Sequence, residues 1–230
     1  ESQARTMPRP TSFGARFVLP AHLLLPALIM PHLLSVGDAR ADGGYVGLQG
    51  GIHFWPAYSN RDQVEADTSP GYSLSLVGGT VLDARDLPAE SWLRSSLSPR
   101  LRIRLEGEVG HRISDLHGIN DNMGQRTADG ETLRATSAFF NLWPSWTISD
   151  GWTAYAGGGV GCSWIRALGS DRARLSLQAG TGLLIDLPIG TIPIRLDLGW
   201  RSFFASSAEY RGRLVDFNTH GAVVGFHLSL

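Results

Sequence analysis

The stretch Leu101-Arg102-Ile103-Arg104-Leu105-Glu106-Gly107-Glu108-Val109-Gly110 alternates without a break. Leu101, Ile103, Leu105 and Val109 fall on one side, and Arg102, Arg104, Glu106 and Glu108 on the other. A period of two belongs to a β-strand with one apolar and one polar face. All the charge of this segment therefore lies on a single side of a sheet.

The pattern recurs on both sides of that stretch. Upstream, Val46, Leu48, Ile52 and Phe54 oppose Tyr45, Gln49 and His53, and a segment at about 71–83 sets Tyr72, Leu74 and Leu76 against Ser73 and Ser75. Downstream, strands are expected at about 133–146, 152–165, 174–187, 192–204 and 215–230, which makes eight in all. In the seventh, Ile194, Leu196, Leu198 and Trp200 oppose Arg195, Asp197, Gly199 and Arg201. The fourth carries Phe139, Phe140, Leu142, Trp143 and Trp146 on both faces and is interrupted by Pro144, a residue with no N–H to give a ladder.

Short turns at Ser149-Asp150-Gly151 and 187–190 alternate with longer segments near 55–70, 112–132, 166–173 and 205–214. Short turns at one rim and long loops at the other describe an up-and-down barrel. The 84–99 segment, with Pro88, Trp92 and Pro99, breaks that rhythm and reads as an insertion. The expected fold is all-β: an eight-stranded antiparallel up-and-down barrel over residues 42–230.

Alternation alone fits both a membrane barrel and a soluble barrel of reversed orientation. The polar face is rich in glycine and serine beside its charges, which suits the narrow interior of an eight-stranded barrel. Arg102, Arg104, Glu106, Glu108, Arg195, Asp197 and Arg201 are the candidate lumen residues, expected to pair as a buried ionic network. Turning that face to lipid would cost about 2–4 kcal/mol for each midplane arginine. Leu105, Leu196 and Val224 are then expected to point outward. Trp55, Tyr72, Trp143, Trp146, Trp152, Trp164, Trp200 and Phe203 lie near strand ends, where interfacial aromatic girdles belong.

Residues 1–41 read as a secretory signal with an upstream extension. Arg9 and Arg16 precede an apolar stretch from Phe17 to Val36, and Ala39-Arg40-Ala41 offers a small-residue cleavage site. Pro20, Pro26 and Pro31 argue against a spanning helix in that stretch.

Composition narrows the chemistry. All 20 basic residues of the 230 are arginine, so lysine nucleophiles are excluded. A net charge of −1 offers no basic face for nucleic acid. The single Cys162 closes no intramolecular disulfide and supports no multi-cysteine metal site. His53, His111, His117 and His220 lack a ligand spacing, and no cofactor or metal is expected.

The ordered pieces Gly44-Tyr45-Val46-Gly47-Leu48-Gln49-Gly50-Gly51, Arg104 to Arg112, Asn141, Tyr155 to Gly161, Gln178 to Gly182 and Leu196 to Arg201 resemble the small opacity-type, outer-membrane-protein-A-like barrels of Gram-negative bacteria. The resemblance covers about 44–230. It implies a non-enzymatic surface protein of the bacterial outer membrane, acting in envelope structure or adhesion. The implied partners are outer-membrane lipid and lipopolysaccharide, the barrel-insertion machinery at the C-terminal strand, and a host or surface ligand at the loops near 56–70, 113–131 and 205–213.

Three rivals make distinct demands. A lipid A-modifying barrel enzyme would use His227-Leu228-Ser229, whose spacing puts both side chains on one face, with an acidic partner from another strand. A diffusion porin would need an open lumen. A soluble lipocalin-like binder of an apolar ligand would reverse every strand.

Overall fold

The computed structural model describes residues 43–55, 58–59, 64–83, 101–120, 131–167, 170–189, 192–210 and 213–230. The segment read as a signal, 1–41, and the 84–99 insertion lie outside them. Ten strands form: β1 (Gly44–Phe54), β2 (Tyr58–Ser59), β3 (Val64–Thr68), β4 (Gly71–Asp83), β5 (Leu101–Asn120), β6 (Glu131–Ser149), β7 (Trp152–Ala167), β8 (Ser170–Leu187), β9 (Ile194–Tyr210) and β10 (Arg213–Ser229). Eight of them make the wall. Antiparallel pairing runs β4-β1-β10-β9-β8-β7-β6-β5, and β5 pairs with β4, so the sheet closes on itself. The fold is a closed eight-stranded antiparallel β-barrel.

Two features depart from the sequence reading, both at the end where the sequence places the longer loops. Segments expected as loops are largely strand: β5 runs to Asn120 and β6 starts at Glu131, while β9 and β10 extend to Tyr210 and from Arg213. Alternation persists there, but its sense is harder to see because Arg112 and Ser114 point inward beside Leu116. Within the expected 55–70 loop, β2 pairs with β3. β3 continues the line of β4 along β5, from Tyr72↔Ile113 to Thr68↔Leu116. Pro70 interrupts β3–β4, and the Ser69 N–H donates to the Asp115 carbonyl at 3.0 Å, carrying the ladder across the break.

At the opposite rim, the turn end, Gly151 has φ +76°, the left-handed conformation that lets two residues reverse the chain between β6 and β7. Pro144 pairs with Ile103, and the β6–β7 register passes from Leu142↔Gly158 to Ser145↔Tyr155 around it.

The interior is packed by matching large residues to small ones across strands. On β6, Phe139, Asn141 and Trp143 point inward; β7 meets them with Gly161, Gly159 and Gly157. A Cβ at Gly159 would press on Asn141 Oδ1 and the Phe140 carbonyl. Gly159→Ala is therefore expected to cost about 1–3 kcal/mol through overpacking. The urea midpoint of the refolded barrel measures this, and an unchanged midpoint would contradict the packing.

Candidate functional site

The lumen is divided into two layers. Toward the turn end it holds a polar layer of three carboxylates, each wholly buried and each beside one arginine. Glu106 accepts from Tyr45 Oη at 2.7 Å, Trp143 Nε1 at 2.9 Å and Asn141 Nδ2 at 3.3 Å, with Arg104 Nε at 3.8 Å. Glu108 accepts from Gln178 Nε2 at 2.7 Å, Ser75 Oγ at 3.0 Å and Asn141 Nδ2 at 3.1 Å, with Arg112 Nη2 at 3.7 Å. Asp197 accepts from Tyr155 Oη at 2.6 Å and Gln49 Nε2 at 3.1 Å, with Arg201 Nη2 at 3.8 Å and His227 Nε2 at 3.5 Å. Neutral donors on neighbouring strands thus share each negative charge with one cation, which a buried ion needs to offset its desolvation.

The arginines are also held by rings. Arg201 lies 3.9 Å from the Trp143 ring centroid, Arg104 lies 4.7 Å from that of Tyr155, and Arg112 lies 4.7 Å from that of Phe203. Aromatic faces attract guanidinium through the ring quadrupole, and more strongly when desolvated.

Of the seven lumen residues expected from sequence, the structure brings five together: Arg104, Glu106, Glu108, Asp197 and Arg201. The other two stay at the turn-end rim. Arg102 pairs with Asp83 at 3.6 Å and Arg195 with Asp186 at 2.7 Å, each arginine side chain 35% exposed. They stand nearest the strand ends, where solvent replaces neighbouring strands.

Sequence reading missed Arg112 and the uncharged donors. A signal for Arg112 is present: Glu108-Val109-Gly110-His111-Arg112 and Asp197-Leu198-Gly199-Trp200-Arg201 share one spacing, acid, glycine and arginine on a single face. The central glycine has no side chain to obstruct the arginine as it lies along the strand and reaches the acid four residues away.

Toward the loop end the lumen is mainly apolar, with Ser114, Ser163, Ser176 and Thr219 buried among the apolar side chains. Leu116, Leu133, Ala135, Phe139, Ile165, Phe203, Ala205 and Phe217 form a buried cluster with Trp55 packed against it. Phe139 meets Phe203 edge-on at 5.9 Å, and Trp55 meets Phe217 at 5.5 Å. This corrects the girdle expectation: Trp143 and Phe203 point into the barrel, 0% and 1% exposed, and Trp55 packs on the lumen cluster. Trp143 turns inward because its indole N–H has Glu106 to satisfy. Tyr72, Trp146, Trp152 and Trp200 are exposed on the outer wall.

His227 brings together part of what a hydrolase would require. Asp197, from the neighbouring strand β9, supplies an acid, but the imidazole Nε2 faces Asp197 and Gln49, and the ring stacks on Tyr45 at 5.0 Å with 3% exposure. The other histidines are dispersed: His111 bonds Thr136 on the outer wall at 2.9 Å, His117 bonds Ser69, His220 stacks on Trp200, and His53 is buried. Among the described residues, no three His, Cys, Asp or Glu side chains are grouped to hold a metal ion.

No protein-family model matches the chain. No curated protein matches it. Among solved structures it is similar to Neisserial surface protein A, at 13% identity over 83% of this chain and 99% of that one, with a TM-score of 0.49. It is also similar to Ail, the attachment invasion locus protein of Yersinia pestis, at 12% identity over 82% and 97%, TM-score 0.41. A third likeness is to a major outer membrane protein from Thermus thermophilus, at 13% identity over 81% and 99%, TM-score 0.41.

Proposed function

We propose that this chain is a non-enzymatic outer-membrane β-barrel surface protein, whose loop end faces outward and makes its contacts with host or surface ligands. The observation that carries the reading is polarity. Glu106 and Asp197 are buried inside, while Leu48, Leu76, Phe140, Val160, Leu177 and Val224 stand exposed on the outer wall. An apolar wall on this scale far exceeds the patches of a few hundred Å² that monomers expose to water, and lipid satisfies it. Across the apolar band, every described strand of the wall turns its apolar side outward, the reverse of what a soluble lipocalin-like binder demands.

The dimensions agree. Trp152 and Trp164 lie on the outer face of β7 with Ala154, Ala156, Gly158, Val160 and Cys162 between them, all uncharged. Their twelve-residue separation spans about 40 Å along a strand, or about 30 Å along the axis at the usual tilt of about 40°. That is the height of an outer-membrane apolar band with its two girdles.

Above that band on β5 to β7 the polarity inverts. Asp115, Arg134 and Arg166 are exposed outside, while Leu116, Leu133 and Ile165 are buried inside. A barrel rising from lipid into water must exchange its faces at the boundary, since each environment solvates the opposite wall. The projecting strands then hold the loops clear of the lipid surface.

An enzymatic role is disfavoured by saturation: the three buried carboxylates already accept from two or three neutral donors apiece, and the His227 imidazole turns its Nε2 to Asp197 and Gln49. A diffusion pore is disfavoured by the filled lumen. Lipopolysaccharide around the wall and the insertion machinery at β10 are the other partners of this reading.

Expression from Met7 in a Gram-negative host, followed by gels of boiled and unboiled outer-membrane fractions, tests it. The unboiled protein is expected in that fraction with a different mobility. A soluble product whose mobility ignores heating would overturn the membrane reading.

A further inference from the structure

At the turn end, a pocket opens into the polar layer between β1, β4, β5, β8, β9 and β10, lined by Tyr45, Val81, Arg104, Leu184, Arg195, His227 and Ser229. Arg104 is its buried wall, 2% exposed, and none of its three guanidinium nitrogens meets a hydrogen-bond acceptor among the described residues. Glu106 gives it charge at 3.8 Å, beyond hydrogen-bond reach, and the rings of Tyr155 and Tyr45 cover it at 4.7 and 5.8 Å.

The lining is unbalanced. Arg104 and Arg195 can only donate, while the Ser229 hydroxyl and the His227 ring can donate or accept. The nearby acids are engaged elsewhere: Glu106 by Tyr45, Trp143 and Asn141; Asp186 by Arg195; Asp197 by Tyr155 and Gln49. Among the described residues, no carboxylate lines the pocket itself. A water molecule there would accept from the arginine and place its hydrogens on Ser229 or His227, but it brings no charge to the buried guanidinium. An anion has no hydrogens to place, and it answers the donors with a charge that strengthens each bond.

We infer that this mouth is a binding site for a small inorganic anion of about chloride size, held by Arg104 from within and by Arg195 and Ser229 at the rim. The occupant completes the donor set that Glu106 leaves unmet and fastens β5 to β9 and β10 at the turn end. The site depends only on the lumen, so it stands or falls separately from the membrane reading.

Two measurements on the folded full-length barrel test it. The urea midpoint is compared in chloride and in gluconate at equal ionic strength, because gluconate is too large to enter. Chloride is expected to raise the midpoint with a saturable dependence on concentration, as for any ligand that binds only the folded state. An Arg195→Gln/Ser229→Ala variant, altered only at the rim, is expected to fold and lose that shift. Crystals carrying bromide in place of chloride should show an anomalous peak within hydrogen-bonding distance of Arg104. Equal midpoints in the two salts, a shift that survives in the rim variant, or no bromide peak at the mouth would each overturn the assignment and leave the pocket to water. Heat-modifiability of the same samples reports independently on the barrel.

Discussion

Glu106→Ala is expected to destabilise the barrel by about 3–5 kcal/mol, the range for breaking a buried ion pair by removing one member. Glu106 is 1% exposed and is the shared acceptor for the Tyr45 hydroxyl and the Trp143 indole, besides being the nearest counter-charge of Arg104. Alanine removes these three interactions together with the longer bond from Asn141 Nδ2. It leaves a guanidinium and two neutral donors deep in the lumen without the acceptor they share. Glu106→Gln keeps one carbonyl acceptor and nearly the same volume, so any stability it retains above alanine measures the hydrogen bonds apart from the charge. An Arg104→Met/Glu106→Leu double variant should recover much of the loss, since replacing a whole buried pair by apolar groups is often neutral or better. Urea titrations of all three in lipid vesicles, read by the mobility of the unboiled band, complete the cycle. A loss below about 1 kcal/mol for Glu106→Ala would mean that the polar layer fills the lumen without holding it.

What was legible in the sequence follows from which physical demand each residue answers. Leu101 to Gly110 reveals its strand because two opposed solvents act on its faces, and alternation records both. That sufficed for eight strands and for the inward direction of Glu106, Arg195 and Asp197. The loop end was harder to read for the same reason: once the wall leaves the apolar band, Leu116 and Leu133 turn inward and Arg134 outward, so the pattern continues with its sense reversed. The ionic partners were legible where they sit two residues apart, as Arg104 and Glu106 do. Arg112 was overlooked, although it stands to Glu108 as Arg201 stands to Asp197, and those two were expected in the lumen. Trp143, read as a girdle residue from its place near a strand end, needed knowledge of the neighbouring strand. Only the β5–β6 register brings its indole over Glu106. Pairing across 37 residues of sequence leaves no local trace.

Leu142→Arg separates lipid from water as the medium around the outer wall. Leu142 is 44% exposed and stands opposite Gly158, which lies midway between Trp152 and Trp164. If the wall faces hydrocarbon, arginine at this depth costs about 2–4 kcal/mol. If the wall faces water, exchanging a half-exposed leucine for a charge should alter stability by no more than about 0.5 kcal/mol. Ser206→Arg provides the depth control: Ser206 is exposed on β9 beyond Phe204 toward the loop end, and if the wall has entered water at that height the change should be close to neutral. Both variants leave the lumen untouched, so a difference between them cannot come from the polar layer or the apolar cluster. Reconstitution into vesicles with urea titration gives the two numbers. A large penalty at 142 with none at 206 fixes the height of the band on the wall. Equal effects at the two positions would remove lipid from the account and leave the exposed apolar wall in need of a protein partner to cover it.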